Sequence, residues 1–350
     1  MRILHVITSL RTGGAERLMV DMLPRMKEQG HEVDLCVFDG VRTPFYEELG
    51  SKGVRVIPLG HSVYSLVNLF KLVPLMRGYD IVHSHNTACQ YFVAIASLFL
   101  KCKIYTTEHN TSNRRRNVWW RMLDRWMYGR YEKVVCISEL TKKNLLQHIG
   151  DSFEDKCVII YNGIDLKTFA GISSSPITNE KKVLMVSAFR EQKDQKTLIK
   201  AMKELPSDYV LELAGGGDER LIDECKQLVH ELQLNERVEF MGVRTDIPSL
   251  LAESDVVVLS SHYEGLSLSS LEGMASGKPF VASDVEGLRD IVSGYGVLFP
   301  HGDSKVLATE IRRLCEDTVY AKQVAVRCQA RAKMFDIEVM VQNYLNLYQK

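Results

Sequence analysis

Net charge is what this chain most plainly lacks: 44 Lys and Arg balance 44 Asp and Glu over 350 residues. A one-signed surface of the kind that grips nucleic acid is therefore not expected, and no nucleic-acid partner is. The eight cysteines, Cys36, Cys89, Cys102, Cys136, Cys157, Cys225, Cys315 and Cys328, are scattered without a C-x-x-C pair. That excludes a disulfide scaffold and a sequence-local zinc site. Several sit in apolar strand patterns such as Val134-Val135-Cys136-Ile137 and read as reduced core thiols of a cytoplasmic protein. The apolar run from Tyr91 to Leu100 is too short to span a bilayer. No basic stretch leading into an apolar one marks a secretory leader, so none is expected. The first strand runs into Ser9-Leu10-Arg11-Thr12-Gly13-Gly14-Ala15-Glu16 instead of G-x-G-x-x-G, which argues against a dinucleotide-binding dehydrogenase.

What is present is alternation. Short β-rich runs, beginning with Ile3–Thr8, Glu32–Phe38 and Val54–Leu59, are separated by helical patterns. Such alternation predicts α/β architecture, with parallel sheets covered on both faces. The stretch from Lys167 to Lys181, with Gly171, three serines and Pro176, interrupts the pattern and reads as a linker. The same grammar then resumes. Two Rossmann-like domains are expected, over residues 1–166 and 181–335, with a last helix over 336–350 placed to pack back on the first.

Charge is uneven between the halves. Residues 1–165 carry 22 bases against 17 acids, a surplus of 5, and residues 166–350 carry 22 against 27, a deficit of 5. Nine bases and three acids lie between Lys101 and Lys133. That bias suggests an anionic partner for the first half. All three tryptophans, Trp119, Trp120 and Trp126, fall in the same stretch. Trp119, Met122, Leu123, Trp126 and Met127 share helical spacing. The favoured reading is that this apolar face is core, with Arg121 and Arg125 solvated. The other is a helix resting on an anionic membrane. Under either reading Arg114, Arg115 and Arg116 are candidates to meet an acceptor phosphate or lipid headgroups.

The densest chemistry lies in Tyr263-Glu264-Gly265-Leu266-Ser267-Leu268-Ser269-Ser270-Leu271-Glu272-Gly273-Met274-Ala275-Ser276-Gly277-Lys278-Pro279. A β-branched run, Val256 to Leu259, precedes it, and Gly277 and Pro279 stop the helix predicted from about Ser267 to Ala275. A helix start there suits a phosphate, and Gly265 lets backbone approach a ligand. Glu264 and Glu272, eight apart, are placed to take hydroxyls on either side of that phosphate, the layout of a nucleotide sugar.

This strand–EG–helix–GKP block, continuing through Val285-Glu286-Gly287-Leu288, resembles the E-x7-E region of retaining glycosyltransferases of family 4, which have the GT-B fold. The resemblance implies two Rossmann-like domains facing a cleft. It implies sugar transfer from a nucleotide sugar, with UDP expected, to a glycan or lipid-linked acceptor in polysaccharide biosynthesis. It also implies a hexosyltransferase-type enzyme; the reduced cysteines point to the cytoplasm, and the basic first half allows a place at the inner face of the membrane. A UDP-sugar epimerase of the same fold and a nucleotide-sugar-binding protein without turnover are the alternatives.

By the same resemblance, Lys193 would bind the donor diphosphate. The family's arginine five residues before that lysine is Ala188 here, and Arg190 is the candidate replacement. His109 matches a first-domain histidine near the donor sugar. Glu264 would hold sugar hydroxyls and Glu272 the ribose, with Gly265, Leu266 and Ser267 around the phosphate. Gly13 and Gly14 match a loop that closes over the diphosphate. Gly215 and Arg244 would border the nucleotide. There is no D-x-D motif, so no metal and no other cofactor is expected. His83 and His85 share a strand face but lack a third ligand in sequence.

Overall fold

A computed structural model describes residues 1–11, 13–60, 62–109, 118–169 and 180–349. The chain divides into two compact units, Met1–Gly163 with Ile337–Lys350, and Ile164–Asp336. The division follows the backbone: Ile164 bridges to Asp336, and its N–H donates to the Phe335 carbonyl. The arginines at 114, 115 and 116 and most of the expected linker, residues 170–179, lie outside the described residues.

In the first unit the elements run β1 (Arg2–Ile7), α1 (Gly14–Glu28), β2 (Glu32–Val37), α2 (Pro44–Ser51), β3 (Arg55–Pro58), α3 (Val67–Met76) and β4 (Ile81–His85). They continue with α4 (Thr87–Ala96), β5 (Lys103–Glu108), α5 (Val118–Arg130), β6 (Lys133–Cys136), α6 (Glu139–Ile149) and β7 (Cys157–Ile159). The strands are parallel, in the order β3-β2-β1-β4-β5-β6-β7. β1 is buried from Ile3 to Ile7, as a central strand covered on both faces must be. Leu4, Val6, Val82, Ile104 and Val134 belong to one core with Met127, Tyr128 and Tyr131.

The second unit repeats the plan: β8 (Lys181–Val186), α7 (Gln195–Glu204), β9 (Tyr209–Ala214), α8 (Glu219–Glu231), β10 (Val238–Gly242), α9 (Ile247–Glu253) and β11 (Val256–Leu259). Then come α10 (Leu268–Ala275), β12 (Phe280–Ser283), α11 (Leu288–Val292), β13 (Val297–Phe299), α12 (Ser304–Glu316) and α13 (Thr318–Ala332). The order is β10-β9-β8-β11-β12-β13, again parallel. The last helix, α14 (Ile337–Gln349), belongs to the first unit, where Glu338 pairs with Arg25 of α1 at 3.1 Å.

Both sheets reverse strand order beside their first strand, between β1 and β4 and between β8 and β11. Open α/β sheets bind ligands at the carboxyl ends of the strands at that reversal, because the connecting helices leave to opposite faces and open a crevice. No described helix is long and apolar enough to cross a membrane.

The favoured expectation for α5 is overturned. Trp119 is 80% exposed, Met122 62%, Leu123 42% and Trp126 40%; of the apolar set only Met127 is core. The helix is held instead by the stripe Asp124, Met127 and Tyr128. Asp124 accepts from the Tyr91 hydroxyl and pairs with His148 at 2.7 Å. That polar anchor turns residues 119, 122, 123 and 126, one helical face, outward.

Candidate active site

The loops leaving β8 and β11 form the reversal of the second sheet and are laced together. Asp194 N donates to the Ser260 carbonyl at 2.7 Å, His262 N donates to the Gln192 carbonyl at 2.9 Å, and Ser260 Oγ donates to the Asp194 carbonyl at 2.7 Å. This lacing brings Lys193 against Glu264, which is 4% exposed. Lys193 Nζ bonds Glu264 Oε1; Ser261 Oγ donates to the same oxygen at 2.8 Å, and Gln192 Nε2 to Oε2 at 3.0 Å. A buried carboxylate needs such partners, since an unpaired one would be protonated instead.

Glu264 leads directly into buried Gly265 and Leu266 and then into Ser267, the N-cap of α10. The Ser267 side chain makes no capping bond, which leaves first-turn amides of α10 for another acceptor. Glu272 lies one helical face away, beside Val186, Ile247 and Ser269. Gly287 braces the loop from outside: it has φ +89°, and a Cβ there would lie 2.2 Å from the Glu264 carbonyl oxygen.

The other expected residues are placed as follows. Arg190 is exposed, with no ion pair among the described residues; its carbonyl accepts from Lys193 N at 2.8 Å. Gly215 has φ +152°, and a Cβ would meet the Ser187 carbonyl at 2.0 Å, so glycine there serves the close approach of two strand ends. Arg244 is held by Asp246 through bonds of 2.8 and 2.6 Å, which raises the guanidinium's pKa and lowers the carboxyl's. Gly13 is the extended N-cap of α1, with the Glu16 carboxylate folded over it, and Gly14 opens the helix.

The Glycosyltransferase Family 4 model spans residues 12–168 and the Glycosyl transferases group 1 model residues 172–333. This chain is a family 4 glycosyltransferase. It is 26% identical to the UDP-Gal:α-D-GlcNAc-diphosphoundecaprenol α-1,3-galactosyltransferase of Escherichia coli over 355 residues, 91% of this chain and 89% of that one. It is 30% identical to the N,N'-diacetylbacillosaminyl-diphospho-undecaprenol α-1,3-N-acetylgalactosaminyltransferase of Campylobacter jejuni over 221 residues, 59% and 57% of the two chains. The crystal structure of Anabaena HepE in complex with UDP-glucose superposes with a TM-score of 0.88 at 24% identity, covering 100% of this chain and 99% of that one. The fold is thus the two-domain Rossmann-like GT-B fold.

In the transferase's first unit, the reversal between β1 and β4 is lined by histidines. β1 pairs with β4 so that His5 lies beside His83, and strand alternation puts His85, Tyr105, Thr107 and His109 on the same face. His83 Nε2 contacts Thr107 Oγ1 at 2.8 Å, and its Nδ1 contacts the Tyr348 hydroxyl at 2.8 Å. Tyr344 of the same helix reaches Thr107 at 3.0 Å. Burial lowers all four histidine pKa values, His5 to about 3 and His109 to about 4. Beside them Asn86 has φ +68°, unusual for a residue with a side chain, and its Nδ2 donates to Thr8 Oγ1 at 3.1 Å.

Sequence reasoning missed His5, Gln192, Ser261 and the bracing role of Gly287. A histidine inside the apolar run Ile3 to Ile7 was a usable signal; Gln192 and Ser261 carried none. It also missed a cluster: ligand atoms of Asp194, His262 and His301 lie within 4.8 Å of one another. Here His262 Nδ1 and His301 Nε2 are 2.6 Å apart, a hydrogen bond, closer than the roughly 3.3 Å between two ligands of a tetrahedral zinc. Both Asp194 oxygens accept from Thr197, at 3.1 and 2.5 Å, capping α7.

Proposed function

We propose that this glycosyltransferase moves a sugar from a UDP-sugar to a lipid-linked glycan acceptor, with retention of anomeric configuration and without a divalent metal. The observation that carries it is the Lys193–Glu264 contact at the sheet reversal, immediately before the uncapped start of α10. The amides of α10 would take the diphosphate, and Lys193 would turn from the carboxylate to the leaving phosphate. Glu264, still held by Ser261 and Gln192, would accept from sugar hydroxyls. Glu272, on the next turn of α10, would take the ribose. Catalysis would rest on stabilising charge on the departing diphosphate, with attack from the same face. A role in polysaccharide synthesis is supported by the two undecaprenol-diphosphate relatives, whose acceptors are lipid-linked by name. The exposed Trp119 face of α5 supports contact with an anionic membrane.

The test is incubation with UDP-glucose, UDP-galactose and UDP-N-acetylglucosamine in the presence of undecaprenyl-diphosphate sugars. UDP release and an NMR-determined α linkage from an α-linked donor are expected. An inverted linkage would overturn retention, and dependence on acceptor-free water alone would overturn the acceptor class. Turnover abolished by EDTA and restored by Mn²⁺ would overturn metal independence. If it were also lost in His262→Ala, the Asp194–His262–His301 cluster would be the metal site.

A further inference from the structure

Three imidazoles form one hydrogen-bonded row at the reversal of the first sheet. His5 Nδ1 lies 2.9 Å from His85 Nε2, and His85 Nδ1 lies 3.1 Å from His109 Nε2. His5 and His85 are fully buried, with ring planes 16° apart and ring centres 5.3 Å apart, so they meet edge to edge through these nitrogens. At the inner end, His5 Nε2 has no hydrogen-bond partner among the described residues. At the outer end, His109 is only partly buried and makes no second hydrogen bond among them.

Burial keeps the three rings neutral near pH 7, since desolvation depresses each of them. A neutral imidazole has one N–H and one bare nitrogen. Each contact needs one of each, so the row has two self-consistent proton arrangements. In the first, every ring carries Nδ1–H. His5 donates to His85, His85 donates to His109, and the free Nδ1 of His109 is a donor. In the second, every ring carries Nε2–H. The donations reverse, and the free Nδ1 of His109 is a bare acceptor. The arrangements differ in what they leave at His5: a bare nitrogen in the first, an orphaned N–H in the second. Among buried backbone groups an orphaned N–H is rarer than an under-satisfied acceptor, and the same preference carried over to the His5 ring favours the first arrangement.

We infer that His85 and His5 are positioning residues that lock His109 as its Nδ1–H tautomer, so that His109 offers a hydrogen-bond donor, not a base, to an oxygen of the carbohydrate it meets. The tautomer follows from the row alone. That a carbohydrate oxygen is its target rests on the proposed sugar transfer. A hydroxyl lone pair, a phosphate oxygen or an acetamido carbonyl would satisfy such a donor. Proton abstraction through Nδ1 is ruled out for this tautomer.

Long-range ¹H–¹⁵N correlation spectra of the unligated, ¹⁵N-histidine-labelled protein at pH 7.5 decide the matter, with His5→Asn, His85→Asn and His109→Gln used for assignment. Nδ1–H signatures are expected for His5, His85 and His109 together. An Nε2–H signature for His109 overturns the inference, as does exchange averaging between the two forms. His85→Asn keeps an amide N–H facing His109 and should keep its tautomer; His85→Leu removes it and should shift His109 toward Nε2–H. Turnover then separates the two claims. A ~10-fold loss of kcat/KM in His85→Leu, the scale of one hydrogen bond, with recovery in His85→Asn, supports both. A tautomer change with unaltered kcat/KM would leave the row as inferred and remove the carbohydrate from His109. Should His85→Leu fail to fold, the wild-type spectrum alone still decides the tautomer.

Discussion

Lys193 spends its charge on Glu264, in a site where neither side chain is more than 12% exposed. The pair is therefore a store of electrostatic energy as well as a candidate for catalysis. Removing one partner of a buried pair costs about 3–5 kcal/mol, because the other charge is left desolvated; removing both costs much less. Lys193→Met should lower stability on that scale, and Lys193→Met with Glu264→Gln should restore most of it. Urea unfolding of the four proteins of the cycle measures this, and additive losses would show that the pair is not coupled. In turnover the pattern differs. Lys193→Ala should lower kcat by about 2–4 kcal/mol in the barrier while UDP affinity falls less, since the charge matters most as the diphosphate leaves.

Arg190 has the opposite situation, exposed and without an ion pair among the described residues. An unpaired guanidinium is available to a phosphate, whereas Arg244 must first give up Asp246. Arg190→Ala should therefore reduce kcat/KM at least ~10-fold, and Arg244→Ala should change it less. The reverse ranking, read from initial rates with a UDP-sugar, would assign the phosphate to Arg244.

Gly287 tests how tightly the Glu264 loop is braced. An alanine there must accept φ +89° and drive its Cβ to 2.2 Å from the Glu264 carbonyl oxygen. Gly302 is the matched control, with φ +77° and nothing within 4 Å of its Cβ position. Gly302→Ala should cost only the backbone strain, about 1–2 kcal/mol. Gly287→Ala should cost more and also weaken UDP binding, because the loop that carries Glu264 must move. Thermal melts with and without UDP separate the two effects. Equal melting shifts and equal UDP affinity would mean the brace is dispensable.

The strands and the EG loop were legible because parallel buried strands are written as unbroken apolar runs, and β11 starts and stops where the run Val256 to Leu259 does. Lys193 and Glu264 were legible as separate residues. Their contact was not, since it depends on a bridge between Lys193 and Ser261 across two loops 68 residues apart (261 − 193). The face of α5 was misread for a related reason. Helical spacing shows that Trp119, Met122, Leu123 and Trp126 share a side, but not which side meets the core. Asp124, paired with His148 and Tyr91 beneath the helix, decides that, and its partners are distant in sequence. Likewise His5 joins His83 and His85 only through strand register.

The buried histidines make the first unit sensitive to mild acid. Each of His5, His83, His85 and His109 is held below its ordinary pKa of about 6.5 in the folded chain by desolvation. A depressed histidine adds stability that is fully present above the unfolded pKa. That stability is lost as pH falls from 6.5 toward the folded values, about 3 for His5 and about 4 for His109. Each ring contributes up to ~1.4 kcal/mol per pH unit in that window. Unfolding free energy should fall steeply between pH 6.5 and 5, above the range where most carboxylates titrate. His5→Asn should flatten the slope by about one proton. An unchanged slope would mean that His5 titrates normally.

The outward face of α5 makes the last prediction. Trp119, Met122, Leu123 and Trp126 expose apolar surface that no described residue covers, and exposed Arg121 and Arg130 stand on the same helix. Tryptophan is suited to the interface between headgroups and acyl chains, and each nearby basic residue contributes about 1 kcal/mol against an anionic leaflet. The protein should co-sediment with vesicles of mixed phosphatidylglycerol and phosphatidylcholine. It should bind pure phosphatidylcholine weakly, and lose most anionic-vesicle binding in salt, where the Debye length falls to about 3 Å at 1 M. Trp119→Ser with Trp126→Ser should lower binding to both kinds of vesicle, because it removes insertion and not attraction. Replacing Arg121 and Arg130 by serine should lower binding to anionic vesicles alone. Wild-type binding in both double variants would leave this face without a membrane partner, and the lipid-linked acceptor would then have to reach the enzyme elsewhere on its surface.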